Sequence, residues 1–167
     1  MVEITPATDA DVPTILGFIR ALAAYEKLSH EVTATEASLR QTLFGETRYA
    51  EALVGRVDGT PAGYALFFHN YSTFRGRPGL YLEDLFVLPA FRGRGVGRAL
   101  LVATARVARD RNCARFEWTV LDWNAPAIAF YRRVGAAILP DWRVCRMDEQ
   151  GIVRLVSDAG VHLTPRR

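Results

Sequence analysis

Six consecutive residues, Arg92-Gly93-Arg94-Gly95-Val96-Gly97, carry the plainest chemistry in this sequence. They stand between a run that reads as a strand and a run that reads as a helix. Glycines allow a tight turn that brings several backbone N–H groups close to an anion, and a helix N-terminus adds roughly half a positive charge. A pyrophosphate suits such a turn. The guanidinium groups of Arg92, Arg94 and Arg98 are available for charge-assisted contacts to it, or to a phosphate on a ribose. Two other phosphate-binding loops are excluded by what surrounds the motif. A Walker loop ends in Gly-Lys-Ser/Thr, whereas Gly97 is followed by Arg98-Ala99. A dinucleotide turn follows an early strand of a parallel unit and has an acid about 20 residues further on. Here the turn follows a hairpin, and no strand-end acid stands at that distance.

The elements that must position this turn alternate along the chain. A strand is predicted over residues 2–6, then a helix over 9–26 with Val12, Ile15, Leu16, Ile19, Leu22 and Ala23 on one face and Thr8 with Asp11 as its start signal. A second helix over 35–44 is stopped by Gly45. Strands over 49–57 and 61–69 flank Asp58-Gly59, a hairpin signal. Residues 79–87 read as a central strand ended by Pro89, and a helix over 96–111 follows the glycine turn. A strand over 115–120, a helix opened by Asn124 and Pro126 and ended at Gly135, and a strand over 142–147 complete the pattern. Residues 152–156 fit a strand and a helix equally well. Hairpin strands followed by a strand-helix-strand-helix unit imply an α/β mixed sheet with helices on both faces.

No repeat, linker or low-complexity stretch divides the 167 residues, so a single domain over 1–167 is expected. A chain of this size buries roughly 70 % of its unfolded surface and needs no disulfide framework. Its two cysteines, Cys113 and Cys145, form no ligand-spaced cluster, which points to a reducing compartment and to no metal. The acids and proline near the N-terminus are unlike a signal peptide, and no apolar run reaches membrane-spanning length, so a cytoplasmic protein without a membrane partner is expected. The formal net charge is +3, but acids are interspersed and no dense basic run is present, so nucleic acid is not an expected partner. Lys27 is the single lysine.

The turn matches the Arg-x-x-Gly-x-Gly coenzyme A signature, and the chain resembles the GNAT acyltransferases. Tyr81-Leu82-Glu83-Asp84-Leu85-Phe86-Val87 before the turn and Trp123-Asn124-Ala125-Pro126-Ala127-Ile128-Ala129-Phe130-Tyr131 after it are similar to the diamine (spermidine/spermine) N-acetyltransferase branch. The likeness extends from Ile4 to Arg143. It implies a central strand splayed from its neighbour, with acetyl-coenzyme A as cosubstrate. On that resemblance Leu85, Phe86 and Val87 line the pantetheine arm, Gly93 to Arg98, including Gly95, Val96 and Gly97, hold the pyrophosphate, and Asn124 and Ala127 touch the arm.

The implied reaction sets a chemical demand. An aliphatic amine with pKa about 10.4 is only ~0.04 % neutral at neutral pH, so reaching its nucleophilic form costs roughly 4–5 kcal/mol. The resemblance assigns the base to Glu83, acting directly or through a water; as a strand carboxylate alone, Glu83 equally fits a salt bridge or a solvated position. It assigns to Tyr131 the proton for the departing thiolate; by spacing alone that ring packs near Ile128. A backbone N–H near Leu85 or Phe86 would take the oxyanion.

Tyr25-Glu26, Glu83 and Asp84 resemble the branch's cation-binding acceptor site, with Trp142 as a wall. One departure bears on the acceptor: Pro140 stands where the branch has an acid, and Asp141 is displaced by one. Long polyamines fit poorly on that ground, while a short diamine, thialysine or another small amino compound fits. The branch commonly forms homodimers through C-terminal strands, which implies one here. A protein or peptide N-acetyltransferase and a non-catalytic acyl-coenzyme A-binding regulatory module are the alternative readings.

Overall fold

The computed structural model describes residues 1–158 in two units, Met1–Thr119 and a second beginning at Val120. Residues 159–167 of the domain expected over 1–167 lie outside the described part. In the first unit, strand β1 (Val2–Pro6) leads into a reciprocal cap. The Thr8 N–H donates to Asp11 Oδ2 at 2.9 Å and the Asp11 N–H donates to the Thr8 carbonyl at 2.9 Å. The helix expected over 9–26 therefore begins as a 3-10 turn, Asp9–Asp11, before α1 (Val12–Tyr25).

Helix α1 ends without a glycine. Leu28 N–H bonds to the Ala23 carbonyl at 2.8 Å and Lys27 N–H to that of Ala24 at 3.2 Å, a Schellman closure in which Lys27 takes φ 63°. A left-handed lysine costs about 1 kcal/mol. The closure sets Tyr25 and Glu26 on the last turn. Helix α2 (Glu36–Leu39) is capped by Thr35, whose Oγ1 accepts from Ser38 N–H at 3.1 Å, and widens into a π turn, Arg40–Phe44, so the helix expected over 35–44 is α-helical only in its first part.

Strands β2 (Glu51–Val57), β3 (Thr60–Ser72) and β4 (Arg77–Val87) follow β1 as an antiparallel meander, and β5 (Phe116–Glu117) pairs with β4 in parallel. Between β4 and β5 runs α3 (Val96–Asp110). Residue parity shows which helix covers which face. Ala52 and Val54 of β2 and Tyr64 of β3 join Val12, Ile15, Leu16 and Phe18 of α1 in one buried cluster. On the other face Gly55 admits α3: a Cβ there would lie 3.1 Å from Val96 Cγ1 and 3.4 Å from Leu100 Cγ. The expected mixed sheet with helices on both faces is thus present in this unit.

Two features of β4 shape the surface it presents. Its register against β3 slips, with Phe67 opposite Leu82 but Leu66 opposite Asp84, so Glu83 is the extra residue of a β-bulge. Its pairing with β5 is confined to Leu80 with Phe116 and Tyr81 with Glu117. The strand expected over 115–120 is therefore only two residues long. A bulge increases local twist, which turns the rest of β4 away from a parallel neighbour.

In the second unit, Asn124 Oδ1 accepts from Ala127 N–H at 3.3 Å and opens α4 (Ala125–Arg133), which closes at Gly135 with φ 91°. One expectation for this unit changes and one open reading is decided. Residues 142–147 form no strand; no described strand offers them a ladder, and Trp142 is 78 % exposed. Residues 152–156 lie in helix α5 (Glu149–Asp158), where Asp148 decides between strand and helix by capping: its Oδ1 accepts from Gly151 N–H at 2.7 Å.

Candidate active site

The bulge gathers the acids. It shifts the alternation of β4, so Leu80 and Leu82 face one side of the sheet while Asp84 and Phe86 face the α1 side, with Glu83 exposed at the step between them. Tyr64, fully buried and stacked on Phe18 with ring centroids 5.5 Å apart, donates its hydroxyl proton to Asp84 Oδ2 at 2.7 Å. Burial pushes the Asp84 carboxyl above the ordinary carboxylate range, partly opposed by the Tyr64 hydrogen bond. Glu26 is also raised, by burial and then by the negative charge of Asp84. The Tyr64 phenol is held well above its ordinary value by burial and by Asp84, Glu26 and Glu83, so it remains a protonated donor. Glu26, Glu83 and Asp84 thus all lie near enough to the Tyr64 hydroxyl to act on it.

The donor side is built from backbone. Leu88 N–H reaches the Ala62 carbonyl on β3 at 2.9 Å, and the two-residue period of a strand then turns the N–H of Phe86 toward β3 and those of Leu85 and Val87 toward the edge that β5 leaves unpaired. That edge leads to the glycine turn. Gly93 and Gly95 take φ 75° and 84°, a left-handed conformation that disfavours any side chain, and Gly95 begins α3 without a side-chain cap. The first N–H groups of α3, from Val96, Gly97 and Arg98, have no intrahelical acceptor, which suits them to a phosphate. The donor set fits a coenzyme A pyrophosphate.

The arginines divide. Arg92 Nε donates to the Val87 carbonyl at 3.0 Å, and its guanidinium carbon lies 4.9 Å from the centre of the Tyr25 ring and 5.8 Å from that of Phe86. It ties the last turn of α1 to the open edge of β4. Arg94 leans over Phe91 and toward Asp58 of the β2–β3 hairpin, 3.8 Å from Arg94 to the carboxylate, while Arg98 is exposed on the first turn of α3. Asn124, Ala127, Tyr131 and Trp142 belong to the second unit. There Asn124 Oδ1 and the Ala127 N–H cap α4 against each other, and Tyr131 lies 5.3 Å from Phe130, ring to ring.

Sequence reasoning did not single out Tyr64 or the bulge. The one available signal was Asp84 itself, a carboxylate that the unbroken two-residue period of a strand would group with Leu80, Leu82 and Phe86.

Known proteins carry the same pattern. The acetyltransferase (GNAT) family matches residues 19–136. A thialysine N-epsilon-acetyltransferase of Bos taurus is 38 % identical over 165 residues, covering 92 % of this chain and 96 % of that protein. An L-ornithine N5-acetyltransferase of Arabidopsis thaliana is 31 % identical, covering 84 % and 82 % respectively. In fold, the chain is similar to an integron cassette protein from the mobile metagenome of V. cholerae, with a TM-score of 0.78 at 24 % identity over 93 % of this chain and 97 % of that one. The family match begins within α1, runs through the bulge and the glycine turn and continues past α4, so the chain belongs to the GNAT acetyltransferases, which take their acetyl group from acetyl-coenzyme A.

Proposed function

We propose that this enzyme transfers acetyl from acetyl-coenzyme A to a primary amine of a small molecule, by direct attack, with Glu83 as base and Tyr131 as acid. The observation that carries the reading is the bulge of β4, which turns Asp84 to the α1 side, where it meets Glu26, with Glu83 beside it at the head of a strand edge that β5 leaves unpaired and that leads to the glycine turn. An acid cluster attracts an ammonium; an open strand edge pairs with an amide-bearing arm. Relatives named for thialysine and ornithine support a diamino acid as acceptor, with short diamines and related amino compounds as neighbours in chemistry. Pro140, in place of the branch's acid, speaks against long polyamines.

Each residue then has a task. The N–H groups of Gly93 to Arg98 hold the pyrophosphate. Leu85 and Val87 pair by backbone with the pantetheine arm, while Phe86 packs beneath it; Arg92 braces the Val87 carbonyl, and Arg94 and Arg98 add positive potential. Asn124 and Ala127 belong to the arm-binding set by resemblance. Tyr25, Glu26 and Asp84 form the acceptor set, to which Trp142 belongs by resemblance. Glu83, directly or through a water, takes the proton that converts ammonium to amine. The amine nitrogen bonds to the thioester carbonyl carbon, the Leu85 N–H stabilises the charge on its oxygen, the carbon–sulfur bond breaks, Tyr131 protonates the thiolate, and the second proton that the nitrogen sheds as the amide forms restores Tyr131. The reaction releases an acetamide, free coenzyme A and the proton taken from the ammonium.

One GNAT domain over 1–167 accounts for a family match that crosses the boundary between the two units. Exposed apolar side chains of the second unit, among them Trp142, Val144, Ile152, Leu155 and Val156, support a homodimer formed with a second copy through this region. No helix among the described residues is long and apolar enough to cross a membrane, and both cysteines are free thiols, in keeping with a cytoplasmic setting. The test is an acceptor panel of ornithine, thialysine, short diamines, spermine, other amino acids and peptides, read by release of free thiol. Diamino acids and short diamines are expected to turn over fastest. Peptides outpacing every small amine, or coenzyme A binding without turnover of any acceptor, would sink the reading.

A further inference from the structure

Tyr64 has no task in the proposed reaction, yet its hydroxyl ends against a carboxylate of the acceptor site. The ring is clamped. Phe18 of α1 stacks on it with an interplanar angle of 9°, and Val54 and Phe86 share its buried cluster. A ring held this way delivers its oxygen to one fixed point, 2.7 Å from Asp84 Oδ2. The groups that face Asp84 are Tyr64 from β3, Glu26 from the end of α1 and Glu83 from its own strand. The charges of Glu26 and Asp84 repel; Tyr64 is the neutral donor.

The pair is a poor choice for stability. A phenylalanine beside an apolar residue would fill the same volume with no polar group to desolvate, and replacing both partners of a buried polar pair by apolar groups is often neutral or stabilising. Local departures from the apolar pattern of a strand collect where function demands them. We infer that Tyr64 is a positioning residue for the acceptor: its hydroxyl takes one oxygen of Asp84, fixes the orientation of the carboxyl, and leaves the second oxygen to receive an ammonium of the incoming amine. This rests on the proposed function, in which the acceptor is an amine. The same hydrogen bond opposes the effect of burial, so without it Asp84 gains a proton more readily and loses its attraction for a cation.

Tyr64→Phe removes one oxygen and keeps the ring, and a carbon-13 carboxyl titration reads Asp84 directly in wild type and variant. The Asp84 titration is expected to move to higher pH in the variant. The acceptor KM is expected to rise about tenfold at neutral pH, the size of one hydrogen bond to a charged group. kcat at saturation should stay within about twofold, and the wild-type to variant ratio of kcat/KM should fall back toward one as pH rises. The KM for acetyl-coenzyme A should not change. In an Asp84→Asn background the Tyr64 substitution should have no further effect on the acceptor. Phe18→Leu, which loosens the clamp and keeps the hydroxyl, should shift both readouts the same way by a smaller amount. An unmoved Asp84 titration overturns the inference, and so does a moved titration with an unchanged acceptor KM or a loss of activity uniform across pH. A wild type that acetylates no primary amine overturns the functional reading and the acceptor role with it, while the titration still decides whether Tyr64 governs the charge of Asp84.

Discussion

The two ends of the β4 edge, proposed to bind opposite charges, are built by different means. At the glycine turn the donors are main-chain N–H groups, aimed by two left-handed glycines and the start of α3; the side chains of Arg92 and Arg94 are turned onto aromatic rings nearby. At the bulge the binding groups are side chains, and their ionisation depends on burial and on one another. Main-chain donors carry no titratable charge, so the donor site should be indifferent to pH and intolerant of added bulk. The acid cluster should respond to pH and should lose function when a charge is removed, even with no change of size.

If that contrast holds, the largest effect comes from Gly95→Glu, which places a side chain at φ 84° and an anion where a phosphate belongs. Coenzyme A affinity measured by calorimetry is expected to fall at least about 100-fold, with Gly95→Ala losing less because it adds the backbone strain without the charge. Unchanged affinity in a folded Glu variant would remove the turn from the donor site. Next in size is Glu83→Gln, expected to lower kcat/KM by roughly 10²–10³ at neutral pH. The loss should shrink as pH approaches the pKa of the amine, and it should be smaller for a less basic acceptor, because solvent then supplies neutral amine. A wild-type to variant ratio that is flat in pH and equal for two amines would leave Glu83 a binding group only.

Tyr131→Phe is expected to cost about 10²-fold in turnover or less, since a thiolate with pKa about 8.5 is already a tolerable leaving group. Normal turnover in the folded variant would make Tyr131 a packing residue. The smallest effect is one on stability. Asp84 has a folded-state pKa raised by burial, so the unfolded chain ionises first as pH rises, and the protein loses stability between the unfolded value and the raised one. Asp84→Asn removes that penalty. The variant should melt about 2–4 °C higher than wild type at neutral pH, for a gain of about 1 kcal/mol. It should show no such advantage in acid, where both forms are uncharged, and it should bind the acceptor poorly throughout. A melting temperature that falls at neutral pH would mean that the charge is compensated within the fold.

The proposed donor site is legible in the sequence because its determinants are local. Arg92 to Gly97, the apolar run 79–87 and the amphipathic run 96–111 are continuous segments, and glycine at a turn has a meaning that does not depend on distant neighbours. The cap of α1, the Asp58-Gly59 hairpin and the Asn124 cap are of the same kind. The segments that changed were those whose state depends on a partner. Residues 142–147 have the composition of a strand, but no described strand pairs with them, and the strand expected over 115–120 is cut to the two residues that pair with β4. The sequence also places Glu26, Glu83 and Asp84 in an acidic acceptor set by resemblance. What it does not contain is the slip of register at Glu83, which arises from pairing with a strand fifteen or more residues earlier. That slip puts Asp84 on the α1 face under the Tyr64 hydroxyl. Charge on a buried carboxyl is set by whatever is packed around it, and for Asp84 that is a tyrosine from β3 and a glutamate from the end of α1, groups brought together by the fold alone.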